Sequence, residues 1–568
     1  MPTRDEMWTT MGEDVDVLVI GGGITGAGIA RDAARRGLKT LLVEMRDLAF
    51  GTSSRSSKLV HGGLRYLEQF EFSLVFEAVS ERRILLDIAP HLVNPLGFVF
   101  PVYTKSRTSL LKINAGMWLY DGLSLFRSPK RWRQLRPKDI ATEEPALNRE
   151  GFKGAPLYYD CSTDDARLTL ENALDAAEAG ATIATWAKVV GFEHDDAGRA
   201  VAAHIECALT GERKTIRAAS IVNATGPWTD ETLSMSRATK REMLRPTKGT
   251  HIVVDHEKLP VNHAVVCFHP DDGRVLFAIP WGPQTYLGTT DTDYDGDPAD
   301  VYASAEDVKY IIDAAAEYFP DHPLCADDVL STWSGLRPLI SPSTGGDDDE
   351  IDESSVSREH QIIVGSDGLV TIAGGKLTTY RLMAKQVVDT VARLLRLSGQ
   401  LPESLERAAT SRSPLPGAVG WPEDDDHRAV ANAILAAGDA LFDTDTAELL
   451  ANTYGMKGIE VAKRVVDEPA LAARICPTRP EILAQIDYAI DAELCCTVSD
   501  LLKQRTQLYY REPDQALGAV EAVADRMAAR LGWSDERRSA EIAAYRDEVE
   551  ASRRWRASWP PAEASSGA

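Results

Sequence analysis

The stretch Asp16–Glu44, DVLVIGGGITGAGIARDAARRGLKTLLVE, decides the fold. It reads as a strand, a glycine-rich turn, a helix and a second strand. Val17 to Ile20 form a short apolar run that gives way at once to Gly21-x-Gly23-x-x-Gly26. Each glycine has a mechanical task in that context. Gly21 permits the tight turn, Gly23 lets backbone N–H groups approach a pyrophosphate, and Gly26 lets the helix pack closely on its strand. A diphosphate placed there meets the unpaired N–H groups and the positive dipole end of a helix. Gly37 stops that helix, and Glu44 ends the second strand roughly 20 residues past the glycines, where a carboxylate accepts hydrogen bonds from an adenosine ribose. Together these features predict a bound dinucleotide.

Working outward, 568 residues suffice for two to four domains and a large core. The net charge of −24 argues against a general nucleic-acid binder, which needs a dominant basic face. Acidic clusters such as Asp347–Glu350 and Glu423–Asp426 read as solvated loops, and a saline habitat is one source of such acidity. The seven cysteines contain no C-x-x-C pair and no ligand-like spacing with histidine. Buried thiols in a reducing compartment are expected, without an iron–sulfur or zinc site. Asp291-x-Asp293-x-Asp295-Gly296 imitates the start of a calcium loop, but its twelfth position is Tyr302 rather than glutamate, so no metal is expected. No apolar run reaches the roughly 18 residues needed to cross a bilayer, and Met1–Glu13 lacks a signal-peptide core. A cytoplasmic protein is expected, with attachment to a membrane surface still open.

After Glu44, Gly51–Tyr66 (GTSSRSSKLVHGGLRY) is a polar, glycine-punctuated loop. Its hydroxyls and amides suit a cofactor's diphosphate or ring edge and Arg65 suits an anion; an ordinary serine-rich loop is the alternative. Helical spacing covers Phe70–Ala89. In Thr108–Lys138, apolar and aromatic residues precede Arg127, Lys130, Arg131, Arg133, Arg136 and Lys138, which is the pattern of an interfacial segment facing anionic lipid or of a core helix followed by a basic loop. A helix over Leu168–Ala179 is followed by strands at Ala184–Val190, Ala200–Ala208 and Thr215–Val222, the last running into Asn223-Ala-Thr-Gly-Pro-Trp228. Arg245–Val254 opens an antiparallel sheet continued by Val265–Phe268, Val275–Ile279 and Thr285–Gly288. His251, at the start of its apolar run, reads as a structural residue at a sheet edge or as a functional one. Leu369–Arg381 supplies another strand, two glycines and a helix running to about Arg396. Helices are then expected at 428–437, 443–454, 458–465, 479–489, 499–508 and 514–531.

The ordered set GGGITGAGIARDAARRG, GTSSRSSKLVHGGLRYLE, IVNATGPW, KGTHIVV, GTTDTDYDGDP, GLRPL and IAGGKLTTYR resembles the FAD-dependent glycerol-3-phosphate dehydrogenases, of the flavoprotein class that includes D-amino-acid and sarcosine oxidases. The resemblance implies an α/β fold: a doubly wound, Rossmann-like FAD-binding domain (14–95, 156–240 and 345–397), an interleaved antiparallel α+β substrate domain (96–155 and 241–344) and a C-terminal all-α domain (410–555). Residues 1–13 and 556–568 are left as flexible termini.

By the same resemblance, FAD is held by Gly21, Gly23, Gly26 and Glu44, by Thr52, Ser53, Ser57, Lys58, Leu59, His61, Gly62 and Gly63, and by Val189, Ala224 and Gly226. Gly375, Lys376, Leu377 and Thr378 lie by the flavin. His251 is the implied proton acceptor, with Arg337 and Lys376 as catalytic partners, and Arg65, Tyr66, Arg337, Arg358 and Lys376 line the substrate pocket. The implied reaction oxidises sn-glycerol 3-phosphate to dihydroxyacetone phosphate, with electrons leaving to a membrane quinone. The implied rivals are an oxygen-using oxidase and a flavin-binding protein of RNA modification or scaffolding. A peripheral place on the inner face of the cell membrane, contact through 108–138, and a homodimer complete the expectations.

Overall fold

The computed structural model describes residues 3–63, 71–124, 128–237, 242–341, 360–402 and 404–560. The glycine-rich unit forms strand Asp14–Ile20, helix Ile24–Arg35 and strand Thr40–Val43. Asp14–Ile20 is central in a parallel sheet, paired with Thr40–Val43 on one side and Arg213–Asn223 on the other. Thr182–Ala184 and Val370–Ala373 extend it in parallel, and Gln361–Val364 closes it antiparallel. A strand covered on both faces must be apolar at consecutive positions, as Val17, Leu18 and Val19 are. Val17 and Val19 face helices Ile24–Arg35, Asp165–Glu178 and Tyr380–Leu397, while Leu18 and Ile20 face Trp8, Met11 and the Ala187–Cys207 hairpin.

The second sheet is largely antiparallel and is built on two long strands, Leu244–Asp255 and Val329–Ile340, paired along nearly their whole lengths. It also recruits Val93–Val99, Phe152–Thr163 and the two-residue strand Leu59–Val60, so the loop after Glu44 ends inside it. Ile252 and Val254 face helix Ala305–Tyr318, whereas Val253, Tyr286 and Trp333 face the C-terminal helices. His251 is not at an edge. Its strand begins at Leu244, and His251 pairs with Gly288 on one side and Trp333 on the other. The polar opening Arg245-Pro-Thr-Lys-Gly hides the strand's true start from hydropathy.

The C-terminal part is helical, with His427–Ala437, Thr444–Tyr454, Gly458–Asp467, Ala484–Ala492 and Val520–Leu531 near their expected places. The expected helix at 499–508 is instead a π-helical turn, Asp500–Arg505, followed by Leu508–Arg511. The 19-residue helix Asp535–Arg553 was not expected, because Ile542, Tyr545 and Val549 are its few buried apolar anchors among charged residues. Arg4–Thr10, within the terminus expected to be flexible, is a helix with a Thr3–Glu6 capping box and buried Met7 and Trp8. None of the helices among the described residues is long and apolar enough to cross a membrane.

Buried charge joins this part to the dinucleotide unit. Arg505 grips Asp47, three residues past Glu44, through two bonds of 2.6 and 2.9 Å and donates to the Glu493 carbonyl at 2.7 Å. Glu493 in turn meets buried Arg167 at 2.5 Å. Breaking such a pair from one side strands a charge out of water. Arg505→Met is therefore expected to lower unfolding stability by about 3–5 kcal/mol, with partial recovery in Asp47→Asn/Arg505→Met, measured by thermal and denaturant unfolding.

Candidate active site

A cleft opens at the carboxyl ends of the parallel strands and is bordered by Pro338 of the second sheet. Gly21, with φ +107°, turns so tightly that a Cβ would lie 2.6 Å from the Ala224 carbonyl oxygen. A Cβ on Gly26 would lie 1.9 Å from the Gly21 oxygen, so neither position admits a side chain. Helix Ile24–Arg35 begins at the cleft, and the Ile24 N–H donates to Ser53 Oγ at 2.9 Å. Glu44 accepts from the Gly22 N–H at 2.5 Å and the Arg46 N–H at 3.0 Å. Burial pushes its carboxyl up to about 7, against these two amides, which favour the ionised form. A glycine turn without room for side chains, an open helix N-terminus and a buried terminal acid fit an adenine dinucleotide.

Of the residues assigned to FAD from sequence, Gly21, Gly23, Glu44, Thr52, Ser53, Val189, Ala224, Gly226, Gly375, Lys376 and Leu377 line this cleft. Thr25, Met45, Trp228 and Pro338 line it too, unforeseen, though Trp228 closes the motif that supplied Ala224 and Gly226. The others are placed differently. Lys58 is buried with its ammonium 2.6 Å from Asp165 and 3.1 Å from the Ser54 carbonyl, so its side chain serves the loop rather than the cleft. Leu59 pairs with Ser162 in the second sheet. Thr378 Oγ accepts from the His61 N–H at 3.1 Å, and the Gly62 N–H donates to Tyr120 and Asp160. Gly63, with φ +73°, is the last described residue of this loop.

The loop is also stapled to the second sheet. Thr52 donates to the Leu336 carbonyl at 2.6 Å, Trp333 Nε1 to the Ser56 carbonyl at 3.1 Å and the Tyr286 hydroxyl to the Ser57 carbonyl at 2.9 Å. Ser57 faces His251, with Oγ 2.9 Å from Nε2. His251 is 2 % exposed and stacks on Trp333 with ring centroids 4.8 Å apart. Burial holds its imidazole well below the usual histidine range, aided by the positive charges of Arg337 and Lys58. Arg337 lies on the strand next to His251, on the same face by alternation. Its fork donates to Asp291 at 2.7 Å, Thr289 Oγ at 3.1 Å and the Thr290 carbonyl at 3.0 Å. Arg65, Tyr66 and Arg358 lie outside the described residues.

The lowered His251 basicity has a thermodynamic sign. Below about pH 6.5 the unfolded chain takes up a proton that the folded site refuses, so stability held at neutral pH is lost as pH falls. The stability gap between the wild type and His251→Gln is expected to narrow from pH 7 to pH 5 by up to about 1.4 kcal/mol per unit. Paired denaturant titrations at each pH measure it, and a constant gap would mean that His251 titrates normally.

Comparison with known proteins agrees with this geometry. Residues 16–381 match the family described as FAD dependent oxidoreductase, and residues 408–538 match the C-terminal domain of alpha-glycerophosphate oxidase. The chain is 38 % identical to the aerobic glycerol-3-phosphate dehydrogenase of Staphylococcus aureus over 541 residues, covering 95 % of this chain and 94 % of that one. The enzyme of the same name from Staphylococcus epidermidis is 37 % identical, covering 94 % of each. Among solved structures, the glycerol-3-phosphate dehydrogenase from Bacillus halodurans complexed with FAD superposes with a TM-score of 0.79 at 34 % identity, covering 96 % of this chain and 97 % of that one. L-alpha-glycerophosphate oxidase from Mycoplasma pneumoniae shares the fold at 16 % identity and a TM-score of 0.53, covering 71 % of this chain and 100 % of that one. A dinucleotide cleft with these glycines and Glu44, joined to this C-terminal domain, places the chain in the FAD-dependent glycerol-3-phosphate dehydrogenase family.

Proposed function

We propose that this chain oxidises sn-glycerol 3-phosphate at C2 to dihydroxyacetone phosphate and passes the electrons to a membrane quinone. One observation carries the substrate reading. A neutral, buried imidazole and an arginine fork share one face of paired strands in the sheet whose Pro338, next to Arg337, borders the dinucleotide cleft. Histidine held neutral is ready to accept the C2 hydroxyl proton. Arg337 and, by the resemblance, Arg358 are suited to a phosphate dianion through bidentate, charge-assisted hydrogen bonds, with Arg65 and Tyr66 as further substrate residues. A dianion there also offsets the positive field that depresses His251, so substrate binding favours proton uptake by the base. FAD, held by the glycine turn, Glu44 and the Gly375–Leu377 segment, supplies the hydride acceptor when bound. Lys376 at that segment offers positive charge to the reduced ring.

A surface patch supports the quinone reading. Leu111, Trp118 and Leu119 on helix Leu110–Leu123 are 81 %, 63 % and 43 % exposed, and Phe72 and Phe76 on the neighbouring helix are also exposed. Trp118 packs edge-on against Trp132, and Lys105, Arg107, Lys112, Lys130 and Arg131, all exposed, lie on or close in sequence to this helix on an otherwise acidic protein. Exposed apolar residues in a segment rich in exposed cations suit the interface of an anionic bilayer, where a quinone is dissolved.

Three measurements test the reading. Arg337→Ala is expected to weaken binding of glycerol 3-phosphate by at least about 1.5–3 kcal/mol, read as a raised KM with the flavin retained; an unchanged KM would remove Arg337 as the phosphate anchor. Enzyme reduced without oxygen is expected to be reoxidised faster by quinone in anionic vesicles than by oxygen. Leu111→Glu/Trp118→Glu is expected to lose vesicle binding and quinone turnover while keeping turnover with a soluble dye. Fast reoxidation by oxygen with peroxide release would favour an oxidase instead.

A further inference from the structure

His251 has two ring nitrogens, and the structure leaves only one of them a route for a proton. Nδ1 is buried and has no hydrogen-bond partner among the described residues. Nε2 meets Ser57 Oγ at 2.9 Å. The ring has no freedom to bring another edge forward. Trp333 stacks on it with planes 14° apart, the Tyr286 ring stands against it with centroids 6.2 Å apart, and Gly288 lies so close that a Cβ there would sit 2.3 Å from His251 Cδ2. Strands pair with its backbone on both sides. Ser57 is only half-buried, and its backbone is fixed by the Tyr286 hydroxyl on its carbonyl and by the Lys58–Asp165 pair next to it. Its hydroxyl is the group that meets Nε2, in a residue that keeps partial exposure and follows Ser56, which lines the cleft.

We propose that Ser57 is the proton relay of this site: the substrate's C2 hydroxyl gives its proton to Ser57 Oγ as Ser57 passes its own proton to His251 Nε2. The proposal rests on the reading of His251 as the base and changes how that base is reached. The O–H electrons become the second carbon–oxygen bond as the C2 hydrogen departs with its electron pair, as hydride to the flavin. Ser57 ends the step neutral, as it began. His251 carries the extra proton, in a dry site facing Arg337 and Lys58, which favours its return through Ser57 to solvent once product leaves. A hydrogen bond with only a structural role would also tie the loop to the strand, so the test must separate the two.

Anaerobic stopped-flow reduction of the holoenzyme by glycerol 3-phosphate makes that separation. Ser57→Ala is expected to retain FAD and to be reduced at least about 100-fold more slowly, with its substrate dependence little changed. Ser57→Thr, which restores a hydroxyl, is expected to recover most of the rate. Ser57→Ala/His251→Ala is expected to be no slower than the slower single variant, because the two act in one path. In protein carrying 15N-histidine, the His251 Nε2 resonance, identified by its loss in His251→Ala, is expected to shift in Ser57→Ala and not in Ser57→Thr. Normal reduction of Ser57→Ala beside slow His251→Ala would overturn the relay and leave the base standing; normal reduction of both would overturn the base itself. Should Ser57→Ala shed its flavin, a proton inventory of the unaltered enzyme decides: two protons in flight support the relay, and one overturns it.

Discussion

The buried ion pair between Lys58 and Asp165, 2.6 Å apart, is the interaction on which the site's geometry rests. The Gly51–Gly63 segment must serve two sheets at once. It leaves the dinucleotide unit, lines the cleft at Thr52 and Ser53, is held at Ser56 by Asp165, and at Leu59–Val60 becomes a strand of the antiparallel sheet. Asp165, at the start of helix Asp165–Glu178, accepts from the Lys58 ammonium and from both the amide and the hydroxyl of Ser56. Charges taken out of water are costly unless their hydrogen-bonding capacity is filled, and here the loop supplies three of the donors to Asp165 and the Ala166 amide a fourth. Lys58 itself sits at φ +52°, a conformation that a residue with a side chain keeps only when its surroundings demand it. The cofactor cleft and His251 therefore share one rigid part.

The C-terminal helices are a buttress for that arrangement. Arg505 holds Asp47 three residues past Glu44 of the dinucleotide unit, while the Tyr510 carbonyl accepts from Ser331 at 2.6 Å and Arg511 donates to the Trp281 carbonyl at 3.1 Å. One domain thus bears on both sheets. The face of the antiparallel sheet that carries His251 and Trp333 is closed by these helices, which makes the imidazole environment dry and its neutral form stable.

Much of this was legible in the sequence wherever the cause is local. The glycine turn, its strands and Glu44 follow from residues within one short unit, and the apolar runs give strand type directly. Long-range partners were not legible. Lys58 stands in a motif that suggested a cofactor ligand, yet its partner is 107 residues away. His251, at the start of the apolar run in Arg245–Val254, read as a sheet-edge residue because its pairing with Gly288 and Trp333 on both sides is long-range. Asp535–Arg553 was missed since a helix covering one edge of a core needs few apolar anchors. Trp333, which fixes the imidazole plane, carried no sequence signal apart from its place two residues before Gly335.

The central claim is that one site joins a phosphate-reading arginine, a neutral base and a hydride-accepting flavin. It is tested most directly by adding glycerol 3-phosphate, and separately glycerol, to the purified flavoprotein without oxygen and recording the flavin absorbance. Glycerol 3-phosphate is expected to bleach the oxidised flavin band completely and glycerol at the same concentration to leave it unchanged. An oxidised spectrum that persists in saturating glycerol 3-phosphate would contradict the claim.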